Sequence, residues 1–427
     1  MHSDFIADLA SRGMLNQTTS PDLAEILKAG PVKGYCGFDP TAKSLHVGSL
    51  LPVLGLVRLQ RAGHRPIALV GGATGMIGDP SGKSAERSML DAETLAANRS
   101  GLRSQLERYL DFSAGTGAVL VDNLEWLGDL SLLAFLRDVG KHFSVNQMVN
   151  RDSVKLRLES REQGISYTEF SYALLQAYDF LVLHDRYGCT LQIGGSDQWG
   201  NIVDGVDLIR RLRGKTAYGA TMPLVMRADG KKFGKSEQGN VWLDAGLTRV
   251  FDFHQFWLNV DDADVVKFLN FFTLSPREEI EALAELHRSA PEKRRAHRRL
   301  ADEVTSFVHG PEAVVRCLNA IAVLFEGAGL DGLSADELTE AFAGAPRHRV
   351  SESALGTPDA QLTAVLAAAG VCTSKGQARQ AVETGSISIN QTVCKDVGRI
   401  LGTADRLSGG FIVLRRGKKT YLVVEIG

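Results

Sequence analysis

The strongest constraint on this chain is the alternation of short β-rich runs with helical stretches over residues 1–225: a run at 33–38, a helical stretch at 45–61, a run at 66–70, then a helical stretch at 85–110. Strands separated by helices are joined by crossovers rather than hairpins, so the order predicts an α/β fold with a parallel sheet wound with helices. From about 250 to 342 the pattern becomes helical, with apolar residues three and four apart in 278–287 and 294–308. The stretch 344–358, carrying Pro346, Ser351, Ser353, Gly356 and Pro358, reads as a linker. Beyond it, 361–369 and 374–383 read as short helices. Residues 386–389, 411–414 and 420–424 read as strands, the last two joined by the basic turn 415–419. A chain of 427 residues divides into about three domains at ~150 residues each. The expected plan is 1–225, 226–345, a linker at 346–358, and a small α+β domain at 359–427.

Composition narrows the class. Hydrophobic residues at 44% and charged ones at 23% exclude wholesale disorder and fibrous repeats. No apolar run approaches the ~18 residues of a bilayer span, since the run at 50–57 stops at Arg58. Cys36, Cys189, Cys317, Cys372 and Cys394 form no Cys-x-x-Cys pair, and no His stands at metal-ligand spacing. Neither a disulfide framework nor a structural zinc site is suggested, and a reducing compartment fits. Asp4 and Asp8 among Phe5, Ile6 and Leu9 read as an amphipathic helix rather than a signal peptide, so the expected location is cytoplasmic. The net charge of −2 conceals an asymmetry: residues 359–427 hold nine basic and five acidic side chains, a local +4. That suggests a polyanion contact, with a solvated basic face the equal alternative on charge alone.

Two segments approach a phosphate-loop motif, Gly82-Lys83-Ser84 and Gly234-Lys235-Ser236, but each encloses three residues between its glycines where the motif needs four. Gly72, Gly75 and Gly78 are spaced three apart, which is not the dinucleotide fingerprint, and hydride transfer loses its support. A different nucleotide geometry fits better. The strand at 33–38 runs into Asp39-Pro40-Thr41, and His46-Val47-Gly48-Ser49 then opens a helix whose free N–H groups favour an anion. Gly48 has no Cβ to obstruct a base or sugar, while His46 and Thr41 can donate to phosphate oxygens. Lys231, Lys232 and Lys235 supply cations from the loop 229–238. After Gly164, Ser166 to Glu169 form a possible capping box opening a largely apolar helix. Tyr172, Gln176 and Asp179 stand at i, i+4 and i+7 of it and share one face. Polar groups aligned inside an α/β core suggest a small polar ligand; a half-exposed helix face is the alternative from these residues alone.

These blocks resemble a known family. Tyr35 to Ala42 (YCGFDPTA) with His46-Val47-Gly48 is similar to the first signature of class I aminoacyl-tRNA synthetases, of the bacterial and mitochondrial tyrosyl type. So are GGATGMIGDP at 71–80, GKHFSVNQ at 140–147, the block 164–179, QIGGSDQWGN at 192–201 and KFGKS at 232–236. The resemblance spans essentially the whole chain. It implies a Rossmann-like catalytic domain over 1–225 with an inserted helical dimer-interface segment, then the KFGKS loop and a helical anticodon-side region over 226–345. The tail from 359 is similar to a small RNA-binding fold shared with a ribosomal protein.

The activity implied is a tyrosine–tRNA ligase: tyrosine and ATP give tyrosyl-adenylate and pyrophosphate, and the tyrosyl group passes to the terminal ribose of tRNA(Tyr). Carried over by position, Tyr35 and Asp179 bind the phenol, Asp79, Tyr172 and Gln176 the ammonium, and Gln198 and Asp197 the carboxylate and ribose side. ATP is met by Asp39, Thr41, His46, Gly48, Ser49, Gly195, Asp197, Lys232, Lys235 and Ser236. Thr41, His46, Lys83, Arg87, Lys232 and Lys235 stabilise the leaving phosphates. Lys375, Arg379, Arg415, Arg416, Lys418 and Lys419 meet tRNA. Mg²⁺ comes with ATP and no protein-bound metal is expected. A homodimer joined near 135–149 is implied. Two departures stand out: Ser49 replaces the usual closing His or Asn, and Arg249, Val250, Phe251 and His254 replace the family's Tyr-bearing run after the second signature. Ser49 motivates an alternative, a paralogue with weakened activation acting mainly by binding RNA. A tryptophan-specific relative is disfavoured by Tyr35 with Asp179.

Overall fold

The computed structural model describes residues 4–81, 90–113, 117–151, 154–155, 158, 164–230, 233–236, 239–326, 329–330, 333–408, 410–417 and 420–427. The chain divides into two units, Met1–Arg249 with Gln255–Val308, and Val250–His254 with His309–Gly427.

In the first unit, strands β1 (Gln17–Thr18), β2 (Lys33–Phe38), β3 (Arg65–Val70), β4 (Val119–Asp122), β5 (Cys189–Gly195) and β6 (Tyr218–Met222) form a sheet in the order β1-β6-β5-β2-β3-β4. Every pairing is parallel except β1 with β6. The sheet is therefore mixed at one edge, where two residues shield the outer side of β6. The chain winds from β2 outward through β3 to β4, then returns to place β5 on the other side of β2. Loops leaving β2 and β5 consequently diverge, which opens a crevice beyond the strand ends. Ile67, Ala68 and Leu69 of β3 are all buried, the mark of a strand covered on both faces.

Helix α1 (Leu50–Arg61) is preceded by a 3₁₀ turn at Val47–Ser49, so the stretch expected as helical from 45 begins irregularly. Helix α2 (Ala92–Tyr109) occupies the later part of the stretch expected at 85–110. Helix α3 (Tyr167–Tyr187) is capped by Ser166, whose hydroxyl accepts from the Glu169 amide at 3.2 Å, and ends at left-handed Gly188 with φ of 66°. Helix α4 (Trp199–Arg213) follows β5. The hairpin β7 (Lys235–Ser236) and β8 (Gly239–Asn240) precedes the helices α5 (Val265–Phe272), α6 (Arg277–Ser289) and α7 (Arg295–His309).

In the second unit, helices α8 (Pro311–Ile321) and α9 (Ala335–Ala341) precede strand β9 (Arg347–Val350). Helices α10 (Leu362–Ala368) and α11 (Lys375–Glu383) lead to β10 (Ile387–Ile389), β11 (Thr392–Cys394), β12 (Phe411–Arg416) and β13 (Thr420–Ile426). The sheet order is β11-β10-β12-β13-β9. Residues alternate across it. Ile412, Leu414, Leu422 and Val424 meet Leu362, Val365 and Val382 on one face, while Phe411, Val413 and Val423 meet Ala320, Val323, Leu338 and Phe342 on the other. Two expectations change here. The stretch read as a linker at 346–358 contains β9, paired in parallel with β13, because its partner lies more than seventy residues away and leaves no local signal. The helical region at 226–345 is divided, since α8 and α9 cover the outer face of the C-terminal sheet.

Candidate active site

Where β2 and β5 part, a cleft of about 340 Å³ opens, lined by residues from the ends of β2, β3, β5 and β6 and from α3. Tyr35, Asp79, Tyr172, Gln176, Asp179 and Gln198 all line it, as do Asp39, Thr41, His46, Gly48, Ser49, Gly195 and Asp197. Residues spread over some 160 positions of sequence are thereby brought to one cavity.

Asp179 lies at its floor, 2% exposed. Trp126 Nε1 donates to one carboxylate oxygen at 2.7 Å and Asn123 Nδ2 to the other at 2.9 Å. Burial nevertheless pushes its carboxyl up to about 7, against the lowering effect of those two donors, with Asp39 and Asp122 adding repulsion. Tyr35 reaches the cleft from β2; its hydroxyl is buried and has no hydrogen-bond partner among the described atoms. Burial, then the nearby Asp179 charge, raises its pKa well above the ordinary tyrosine value. A neutral phenol donor without a partner thus lies beside a buried acid, an arrangement able to exchange hydrogen bonds with one further polar group.

A second acid organises the opposite side of the cleft. Asp79 accepts from the Ser81 amide at 2.9 Å and from Gln198 Nε2 at 2.7 Å. Asn201 orients two amides by donating to Gln176 Oε1 at 3.0 Å and Gln198 Oε1 at 3.3 Å. Tyr172 donates its hydroxyl to Asp39 at 2.9 Å, which leaves the phenolic oxygen's lone pairs as acceptors. Asp39 also accepts from Thr74 at 2.8 Å, so it braces Tyr172 as well as lining the cleft. A Cβ on Gly71 would come within 2.1 Å of Asp39 Oδ1, so only glycine fits there. These carboxylates, hydroxyls and amide oxygens gather hydrogen-bond acceptors at this end of the cleft.

The helix start after His46 differs from the expected anion site. The Gly48 amide donates to His46 Nδ1 at 3.0 Å, the Ser49 amide to the His46 carbonyl, the Leu50 amide to the Val47 carbonyl, and the Val47 amide to Val241. Three of these N–H groups are consumed by a tight 3₁₀ turn capped by a side chain and the fourth by Val241, so none is free to bind an anion. With Nδ1 accepting, the ring proton sits on Nε2, the donor form. Gly48 is required for a steric reason of its own: a Cβ would stand 2.7 Å from His46 Cε1.

The loop bearing KFGKS is held at the cleft by its flanks. The Val47 amide donates to Val241, the Leu243 amide to Leu45, and the His46 ring meets Trp242 edge-on at 6.2 Å. Phe233 is buried among Phe256, Trp257, Phe268 and Phe272, with centroids 4.5–5.4 Å away. Lys235 and Ser236 lie on β7. Lys83, Arg87, Lys231 and Lys232 fall outside the described residues, as do Lys418 and Lys419. Of the expected RNA contacts, Lys375 opens α11 and Arg379 follows one turn later, paired with Glu383 at 3.0 Å. Arg415 and Arg416 close β12 opposite Ser388 and Ile387, and Arg416 donates to the Val371 carbonyl.

Sequence reasoning missed Thr74, Asn123, Trp126, Gln192 and Asn201. Gln192 lines the cleft with its Oε1 buried and unpartnered. It lay within a recognised block and could have been found there. Asn123 and Trp126 follow β4 in a stretch with no motif, so only the fold brings them to Asp179.

Residues 27–326 match the family described as class I tRNA synthetases (W and Y), which defines the class to which this fold and cleft belong. Residues 337–424 match the C-terminal domain described as tyrosine–tRNA ligase SYY-like. The chain is 50% identical to the tyrosine–tRNA ligase of Geobacillus kaustophilus over 99% of both chains, and 48% identical to tyrosine–tRNA ligase 1 of Bacillus subtilis over 99% of both. A C-terminally truncated mitochondrial tyrosyl-tRNA synthetase from Aspergillus nidulans superposes with a TM-score of 0.68 at 30% identity, covering 76% of this chain and 94% of that one. The chain belongs to the tyrosyl-tRNA synthetase family.

Proposed function

We propose that this chain activates tyrosine with ATP and transfers the tyrosyl group to the terminal ribose of tRNA(Tyr). The observation that carries the reading is the buried Asp179 carboxylate, held by Asn123 and Trp126, with the unpartnered Tyr35 hydroxyl in the same cleft. The substrate phenol donates to Asp179 and accepts from Tyr35. Phenylalanine would leave the buried Tyr35 hydroxyl unpaired and deprive Asp179 of a third donor, a discrimination that needs no editing domain.

At the other end, Asp79, Tyr172 and Gln176 hold the ammonium, and Gln198 with Asp197 lies on the carboxylate and ribose side. The tyrosine carboxylate is already ionised, so attack on the α-phosphorus of ATP needs no general base. The work lies in stabilising pyrophosphate as it leaves. His46 Nε2–H and Thr41 donate on one side; Lys83, Arg87, Lys232 and Lys235 supply positive charge on the other. Mg²⁺ enters with ATP, and among the described residues no grouping of His, Cys, Asp and Glu suited to hold a metal lies in this cleft. Lys375, Arg379, Arg415, Arg416, Lys418 and Lys419 are the basic residues assigned to phosphate contacts with the RNA partner. Leu132, Leu133, Leu136 and Val145, 42–79% exposed, form the apolar surface through which two copies would pair. Five free thiols support a cytoplasmic location, and among the described residues no helix is long and apolar enough to cross a membrane.

The test is ATP–pyrophosphate exchange. Exchange should depend on tyrosine, stay at background with phenylalanine and tryptophan, and collapse in Asp179→Ala. Exchange supported by tryptophan and not tyrosine would overturn the assignment.

A further inference from the structure

Away from the cleft, three ligand-type side chains converge where α5, α6 and α7 meet. Asp262 precedes α5, His287 lies in the last turn of α6, and His297 in the first turn of α7. One ligand atom from each lies within 4.8 Å of the other two. His297 is completely buried, with its Nε2 3.2 Å from Asp262 Oδ1 and the Val260 backbone carbonyl also against the ring, neither contact amounting to a well-formed hydrogen bond. His287 places Nε2 3.1 Å from the Asp262 backbone carbonyl, while its Nδ1 is buried and without a partner. When Nε2 carries the proton for that carbonyl, Nδ1 bears a lone pair. Metal-binding histidines are oriented this way, one ring nitrogen held by a carbonyl and the other left to ligate.

Buried imidazole nitrogens without a well-formed hydrogen bond are destabilising, a cost that a bound partner would recover. Burial, then the charge of Arg294, lowers the His297 pKa below the ordinary histidine value. The Arg294 guanidinium is itself engaged with the Leu258 carbonyl. Two imidazoles and one carboxylate form a nitrogen–oxygen set that suits zinc. Tetrahedral bonds of ~2.0–2.1 Å place ligand atoms ~3.4 Å apart. The Asp262–His297 edge is close to that length, and the exposed Asp262 and half-buried His287 side chains are able to move to close the others.

We propose that Asp262, His287 and His297 form a site for one divalent cation of the zinc class, with three protein ligands and an open fourth position. Bound there, the ion fastens the loop before α5 to the hairpin of α6 and α7. Three separate elements supply the ligands at irregular spacing, so no sequence motif marks the site.

Full-length protein, stripped with a chelator and kept free of ATP, should be titrated with Zn²⁺ by calorimetry and followed by thermal melting; Co²⁺ should be added in parallel and its visible absorption recorded. The wild type is expected to bind Zn²⁺ at one more site than His287→Gln, to gain several degrees in Tm, and to give a tetrahedral cobalt spectrum. His287→Gln and Asp262→Asn, both at partly exposed positions, should weaken that binding by about tenfold or more and lose the cobalt spectrum, while tyrosine-dependent exchange in zinc-free buffer containing Mg²⁺ stays unchanged. Equal zinc stoichiometry, equal melting shifts and equal cobalt spectra in the wild type and both variants would overturn the proposal.

Discussion

Asp179 shows how much one buried carboxylate can govern. Its folded-state pKa, about 7, lies above the unfolded value of 3.8, so the native state prefers the protonated form. Its contribution to stability is therefore fullest below the ordinary carboxylate range and is lost as pH rises toward about 7. Asp179→Asn should flatten that dependence, seen as a Tm difference from wild type that shifts in the variant's favour between acid and neutral pH. Tyrosine binding has the opposite slope, because the phenol needs the ionised acceptor: affinity measured by fluorescence titration should rise with pH and level off above 7. Trp126→Phe removes one of the two donors that hold the carboxylate and should raise KM for tyrosine roughly tenfold, a loss of ~1.5 kcal/mol. At the nucleotide side, His46→Ala should lower the exchange rate on the order of 10²-fold with tyrosine affinity unchanged. His46→Asn should restore part of it, since an amide can accept from Gly48 N–H and still donate.

Among elements, the segment between β6 and α5 is informative because its anchor is far more apolar than its chemistry. Phe233 sits within the KFGKS block, yet its ring belongs to the cluster of Phe256, Trp257, Phe268 and Phe272. Phe233→Ala should destabilise the first unit by about 3–5 kcal/mol and slow exchange, while calorimetry finds tyrosine affinity near wild type because the Phe233 ring packs on Phe256, Trp257, Phe268 and Phe272 rather than on Tyr35 or Asp179. Helix α3 is the contrasting case. The i, i+4, i+7 spacing of Tyr172, Gln176 and Asp179 was legible because 3.6 residues per turn is a local property, and all three line the cleft. The N-terminal turn before α1 was not legible: whether its amides are free depends on the His46 rotamer and on Val241, which lies far along the chain.

For the whole molecule, the sharpest prediction concerns the second unit. Phe342, Leu338 and Val323 are covered by Phe411, Val413 and Val423, so a chain cut after Gly344 leaves that apolar face bare. Hydrogen exchange should show α8 and α9 losing protection by about a hundredfold, with β2 and β3 unaffected. Replacing Lys375 and Arg379 together by Glu should raise KM for tRNA about tenfold and reduce the salt dependence of binding, leaving tyrosine-dependent exchange intact.

Taken by itself, the amino-acid sequence determined the alternating α/β order, the helical middle, the basic tail and the families of residue around the cleft, because periodicity, turn chemistry and contiguous blocks are local. Tertiary structure alone decided what is non-local. It paired β9 with β13 across a stretch that reads as a linker, set β1 antiparallel at the sheet edge, and carried Asn123 and Trp126 to Asp179. It also consumed the amides expected to bind phosphate. Each of these depends on a partner distant in sequence, and hydrogen-bond geometry between such partners exists only once the chain has packed.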